Sequence, residues 1–229
     1  MDFTSKIKGL FNTLKTEGVL GTIEFLAAYF IDFFFDFRYG TDTRVWIQLE
    51  ELNDIDSENK NKGFKYQPTP TVPVKKLFKK LELPVDKMLV DFGCGKGRVL
   101  LVAAQYGFKE VHGVEFSKSL AAVARKNTEV FKQKAVKDAM FKVFCEDAAG
   151  YMIKNEESIF FFFNPFGTEI LEKVAENIKR SVQNHPRKIW VIYQNPYYRQ
   201  VFDNDPFFRN FMEWKYLSFK SVVYTNEKI

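Results

Sequence analysis

Residues 159–163 read Ile-Phe-Phe-Phe-Phe, an apolar run with no polar residue to alternate with. A strand with one wet face alternates apolar and polar side chains, so this run predicts a central strand covered on both faces. Such a strand belongs to a parallel sheet with helices packed above and below. The surrounding sequence has the matching rhythm. Short apolar runs at Met88–Phe92, Val111–Glu115, Phe141–Cys145, Ser158–Phe163 and Lys188–Gln194 read as strands. Between them Val99, Val102, Ala103 and Tyr106, then Leu120, Val123 and Ala124, then Ile170, Leu171, Val174 and Ile178 recur at helical spacing. Glu213–Thr225 alternates β-formers and predicts an antiparallel pair at the sheet edge. The fold class expected is therefore α/β, a sheet with helices on both faces.

Ahead of this unit, residues 3 to about 50 read as helical, broken at Gly18 and Gly21. Residues 53–63 are polar and read as a loop. From Gly63 to Pro73 the prolines at 68, 70 and 73 predict extended chain, since each removes a backbone donor and biases its predecessor away from helix. Lys75, Lys76, Lys79 and Lys80 then alternate with Leu77, Phe78 and Leu81 as the wet face of an amphipathic helix. The chain divides on this reading into 1–63, a helical cap or extension and loop, and 64–229, the main α/β domain.

Within Val19–Phe37, Glu24, Asp32 and Asp36 make a narrow polar stripe beside Phe25, Tyr29, Phe30, Phe33, Phe34 and Phe37. The acids argue against a membrane span. A helix this apolar needs cover on most sides. A cap over the substrate opening is the favoured role and a dimer contact the second. Membrane-surface contact through 19–37 comes last, because acids oppose anionic lipid.

At 229 residues and 46% hydrophobic content, the chain suits one domain with an appendage. The formal charge of +5 comes from 34 basic and 29 acidic residues that are interleaved, which argues against nucleic acid as a partner. The two cysteines, Cys94 and Cys145, make no disulfide framework and fit a reducing, cytoplasmic setting. No signal-peptide pattern is read at the N-terminus. His112 and His185 lack metal-ligand spacing with each other or with the cysteines, so no metal site is expected. Neither cysteine has an evident His partner, which makes a thiol nucleophile improbable. The sequence leaves the oligomeric state open.

The chemistry centres on Val90-Asp91-Phe92-Gly93-Cys94-Gly95-Lys96-Gly97-Arg98-Val99, at a strand end and a helix start. Glycines there let backbone approach a ligand with no Cβ in the way. A dinucleotide fingerprint would need its third glycine at position 98, where Arg98 stands. The pattern is instead Asp-x-Gly-x-Gly-x-Gly, and it puts an acid where a cationic ligand could be held. Eighteen residues after Gly97 the next strand ends in Glu115, a carboxylate able to accept two ribose hydroxyls. The following strand ends in Cys145-Glu146-Asp147-Ala148, and the Phe strand runs into Asn164-Pro165-Phe166-Gly167.

In this order the four segments resemble the class I, seven-strand, Rossmann-like S-adenosylmethionine (SAM) dependent methyltransferases, over residues 64 to 225. The glycine segment resembles their motif I, implying that Asp91, Gly93, Cys94, Gly95 and Gly97 cradle the cofactor. The resemblance assigns Glu115 to the ribose and Asp147 with Ala148 to the adenine. Tyr66-Gln67-Pro68-Thr69 resembles the segment that closes over the methionine end of SAM in seven-strand lysine methyltransferases, implying contacts from Tyr66 and Thr69. Asn164-Pro165-Phe166 resembles motif IV of N-methyltransferases, with Phe166 where a second Pro is expected. It implies that Asn164 borders the cofactor and that Asn164 and Pro165 hold the acceptor. Phe35-Asp36-Phe37-Arg38-Tyr39-Gly40-Thr41-Asp42-Thr43 is similar to a segment of an uncharacterised bacterial methyltransferase group.

The function implied is transfer of the SAM methyl group to an unidentified acceptor, with an amine nitrogen of a protein lysine or a small molecule as the candidate. The alternative is a SAM-binding regulatory protein that methylates nothing. A nicotinamide-dependent oxidoreductase is the lesser alternative, which Arg98 argues against.

Overall fold

The structure is a computed structural model that describes residues 3–45, 47, 66–136 and 138–227. Seven strands form one sheet: β1 Met88–Phe92, β2 Glu110–Glu115, β3 Met140–Cys145, β4 Glu157–Phe163, β5 Trp190–Gln194, β6 Arg209–Tyr216 and β7 Phe219–Thr225. Their order is β3-β2-β1-β4-β5-β7-β6. The first five are parallel, while β7 pairs antiparallel with both β5 and β6. The strand order reverses between β1 and β4, and a parallel sheet opens a crevice at such a switch point beyond the carboxyl ends of its strands.

The Phe strand shows why its sequence has no alternation. Ile159 and Phe161 face one core together with Leu89, Val111, Ile192 and Val223. Phe160 and Phe162 face the opposite core with Val90, Phe92, Val114, Val191 and Tyr193. The first core is covered by α2 (Thr71–Leu81), α3 (Arg98–Tyr106) and α4 (Lys118–Lys134). The second lies under α5 (Thr168–Asn184) and the short α6 (Gln200–Asp203). All four β4 residues from Ile159 to Phe162 are fully buried, each aromatic contributing about 1.5–3 kcal/mol of apolar burial.

The helix α1 (Phe3–Tyr39) bends at Gly18, whose φ of 71° and ψ of −170° are not helical. Gly21 does not break it, and the helix stops at Tyr39 rather than near residue 50. Its end is fixed by Asp36, whose carboxylate accepts hydrogen bonds from the Thr41 and Thr43 hydroxyls, at 2.7 Å each, and from the Thr43 amide. The expected extended segment also ends early, because α2 begins at Thr71 with Pro73 in its first turn. A proline is tolerated there, since the first-turn amides have no helical acceptor to lose. Asp32 accepts from the Thr71 amide and hydroxyl and so caps α2 from outside it.

Helix α1 therefore packs on α2 and α4, outside the helix layer and away from the sheet. Phe35 reaches the first core. The polar stripe faces inward in part: Asp32 and Asp36 turn to the domain, while Phe30, Phe33, Phe34 and Phe37 are exposed. The sequence reading had apolar side chains seeking cover, and here the acids have it instead. The reason is Arg98, buried at 3% exposure with Asp32 and Asp36 3.9 and 3.6 Å from its guanidinium. A buried guanidinium needs such partners.

Candidate active site

A cavity of 690 Å³ opens beyond the carboxyl ends of β1, β2 and β4, at the switch point. The glycine loop forms its floor. Gly93 (φ 73°) and Gly95 (φ 53°) adopt left-handed backbone. A Cβ on Gly93 would overlap the Pro165 ring, and one on Gly95 would overlap the Tyr66 ring. Glycine is needed at these points for close approach as well as for backbone freedom. Glu115 locks the loop in place, its carboxylate accepting from the Gly95 amide at 2.9 Å and the Ser117 amide at 3.0 Å.

Asp91 ends β1 at 3% exposure and lines the cavity. Among the described residues no hydrogen bond or ion pair engages its carboxyl. Burial, followed by repulsion from Glu115, pushes that carboxyl well above the ordinary range. An acid in this position gains most from a cationic ligand, because only an opposite charge offsets its desolvation. The Cys94 thiol is also pushed up, by burial first and then by Glu115 and Asp91, which keeps it protonated and inert.

Beyond the end of β3 the Asp147 side chain accepts from the Ala149 amide at 2.9 Å and caps the 3₁₀ turn Ala148–Gly150. Phe116, Leu120, Val99 and Ala148 supply apolar wall on this side. Over the loop, the Tyr66 hydroxyl donates to the Thr43 carbonyl at 2.8 Å, and Tyr66 pairs with Ile47 as an isolated antiparallel bridge. Thr69 lines the cavity beside Gln67 and is 8% exposed.

The opposite wall is the turn after β4. Asn164 has φ 43°, and its side-chain oxygen accepts a 3.0 Å hydrogen bond from the Tyr193 hydroxyl. Burial pushes the Tyr193 phenol up to about 12, so it stays a donor at neutral pH. Phe166 is buried against Phe162 with ring centroids 6.3 Å apart.

Of the residues singled out in the sequence, Tyr66, Thr69, Asp91, Gly93, Cys94, Gly95, Glu115, Asp147, Ala148, Asn164 and Pro165 meet around this cavity. Gly97 does not line it. With φ 83° it is the N-cap of α3, and its α-carbon faces Ala124 and Leu100, so its glycine serves helix packing. No described residue of α1 lines the cavity either. Sequence reasoning missed Asn195, Tyr197 and Tyr198, which complete the wall beside Asn164. A signal for them was present: Asn195-Pro196-Tyr197 after β5 repeats the Asn-Pro-aromatic pattern of residues 164–166 after β4. Both asparagines adopt left-handed backbone, with φ 43° and 50°.

Residues 60–157 match the family model of histone methylation protein DOT1. That span runs from before Tyr66 to the start of β4 and so takes in the glycine loop, Glu115 and Asp147. Among curated proteins none matches the chain. Of solved structures, the ribosomal protein L11 methylase of Lactobacillus delbrueckii subsp. bulgaricus is similar with a TM-score of 0.53 at 13% identity, covering 73% of this chain and 83% of that one. The YhhF protein of Escherichia coli is similar with a TM-score of 0.52 at 17% identity, covering 71% and 90%. The MMP1179 protein of Methanococcus maripaludis is similar with a TM-score of 0.53 at 11% identity, covering 69% and 85%.

Proposed function

We propose that this chain, a class I SAM-dependent methyltransferase, transfers the methyl group to an amine nitrogen held between the Asn164-Pro165 and Asn195-Pro196 turns. The observation that carries the binding half is Asp91, a buried acid in the cavity with no protein partner among the described residues. The residues present fit SAM, whose ammonium and sulfonium are the opposite charge that Asp91 lacks. In this reading Asp91 and the Gly93–Gly95 loop hold the amino-acid end, Glu115 the ribose, and Asp147 with Ala148 the adenine. Bound there, the cofactor supplies a methyl group already activated on sulfur.

The chain's own part is alignment and exclusion of water, since an in-line displacement at an activated methyl needs no acid-base pair. Asn164, fixed by Tyr193, offers a side-chain oxygen, and the Pro165 carbonyl offers a second acceptor. Two acceptors can hold the N–H groups of an amine so that its lone pair points along the methyl-sulfur axis. Phe166, Tyr197 and Tyr198 add an aromatic border, which favours an acceptor arriving as an ammonium cation that gives one proton to solvent before its lone pair meets the methyl group. The match to the histone methylation protein model, which ends before Asn164, supports a protein as the acceptor.

Interleaved surface charge does not decide against a nucleic-acid acceptor, so the test must include one. Cell extract incubated with the enzyme and methyl-labelled SAM, then separated into protein, nucleic acid and small molecules, gives the acceptor class. Mass spectrometry of the labelled product gives the atom. A methylated amine is expected, and a methyl ester or ether would overturn the nitrogen assignment.

A further inference from the structure

The stretch of α1 beyond its bend, Gly18–Tyr39, is 22 residues and is long and apolar enough to cross a membrane by length and composition. Its two faces differ sharply. Ala28, Asp32, Phe35 and Asp36 turn to the domain. Val19, Ile23, Leu26, Phe30, Phe33, Phe34 and Phe37, at helical spacings of three and four, lie on the opposite side and are exposed, Phe37 at 84%. Exposed apolar area this continuous marks an interaction surface.

Three features select the occupant. The first is the position of the acids. Asp32 and Asp36 are held inward by Thr71, Thr41, Thr43 and Arg98, which leaves Glu24 as the exposed acid of this stretch. The objection that acids repel anionic lipid therefore falls for two of the three.

The second is the charge at the rim. Arg38 follows Phe37, and Arg44 stacks 4.5 Å over the outward Phe33. The Lys134 ammonium lies against Gly40, just past the end of the helix. Cations thus gather around one end of an apolar face, the arrangement that binds anionic headgroups while apolar side chains enter the acyl boundary.

The third is the width of the face. Leu20 and Ile31 are exposed beside the seven side chains above, so the apolar arc exceeds a two-helix seam. Flanking positions Leu20, Ala27 and Phe34 also lack the paired opposite charges by which coiled coils choose a partner. A full span is disfavoured because it would pull Asp32 and Asp36 away from Arg98 and into hydrocarbon.

We propose that the outward face of α1 docks this protein on an anionic phospholipid surface, with the α/β domain held above it through Asp32 and Asp36. The full-length protein is tested by flotation with vesicles of phosphatidylcholine alone and of phosphatidylcholine mixed with phosphatidylglycerol. Binding to the mixed vesicles is expected, weakened by salt and released by alkaline carbonate. The double variant Phe30→Glu with Phe37→Glu should bind at least about tenfold more weakly. Calorimetry with SAM checks that this variant is folded.

Failure of the unmutated protein to float with the mixed vesicles overturns the proposal, whatever the variant does. Resistance to carbonate would show a spanning helix instead. A dimer in sedimentation equilibrium that the double variant dissociates, without vesicle binding by the parent, would assign the face to a second copy of the chain.

Discussion

The Tyr193 hydroxyl donates a 3.0 Å hydrogen bond to the side-chain oxygen of Asn164, tying β5 to the turn that ends β4. The bond fixes the amide of a residue whose own backbone, at φ 43°, is already set by the turn. Acceptor geometry in the proposed reaction thus rests on two strands rather than on one loop.

Removing either partner should affect turnover more than cofactor binding. Asn164→Ala is expected to lower kcat by more than about tenfold, or about 1.4 kcal/mol of transition-state stabilisation, with SAM affinity nearly unchanged. Tyr193→Phe leaves the amide present but unanchored. Loss of one neutral hydrogen bond is about 0.5–1.5 kcal/mol, so a roughly threefold to tenfold drop is expected. Steady-state kinetics beside calorimetry separates the two quantities, and equal losses in both would remove Asn164 from the acceptor side.

Asp91 predicts a pH dependence of binding. Its carboxyl in the ligand-free protein is raised well above the ordinary range by burial and then by Glu115. A cationic ligand favours the ionised form, so binding releases a proton wherever Asp91 is protonated beforehand. SAM affinity should therefore fall as pH drops through that raised value and level off above it. Adenosine has no ammonium and should show no such fall. Titration calorimetry in buffers of different ionisation enthalpy counts the proton, and identical pH profiles for the two ligands would refute the role of Asp91.

Gly95→Val should abolish measurable SAM binding, for a reason the sequence did not contain. The new side chain would strike the Tyr66 ring and would also sit at φ 53°. Displacing Tyr66 breaks its hydrogen bond to the Thr43 carbonyl, so the closing segment should loosen with the loop. Combining Gly95→Val with Tyr66→Ala relieves the collision but leaves the backbone strain, and partial recovery of binding is expected. Full recovery would assign the whole effect to the ring.

Arg98→Ala should destabilise the chain by about 3–5 kcal/mol in urea denaturation, since Asp32 and Asp36 would lose the buried cation they face. The same argument predicts that deleting residues 1–40 destabilises the domain by stripping Arg98 of both acids. Activity lost on that deletion would therefore report stability before it reported any capping role. Melting temperatures with and without saturating SAM make the comparison.

The strand and helix pattern from Met88 onward was legible in the sequence because burial on both faces of a sheet, or on one face of a helix, writes itself into local periodicity. The glycine loop and the acids at Asp91, Glu115 and Asp147 were legible too, since strand ends and loop starts fix where such residues emerge. Only the tertiary structure decided what depends on distant partners. It turned Asp32 and Asp36 toward Arg98, more than 60 residues away in the chain, and so left Phe30, Phe33, Phe34 and Phe37 facing outward. It directed Gly97 to Ala124 rather than to the cavity and brought Asn195, Tyr197 and Tyr198 beside Asn164. Periodicity reports how much of an element is covered. Which buried charge claims which face is set by pairings that no local window of sequence contains.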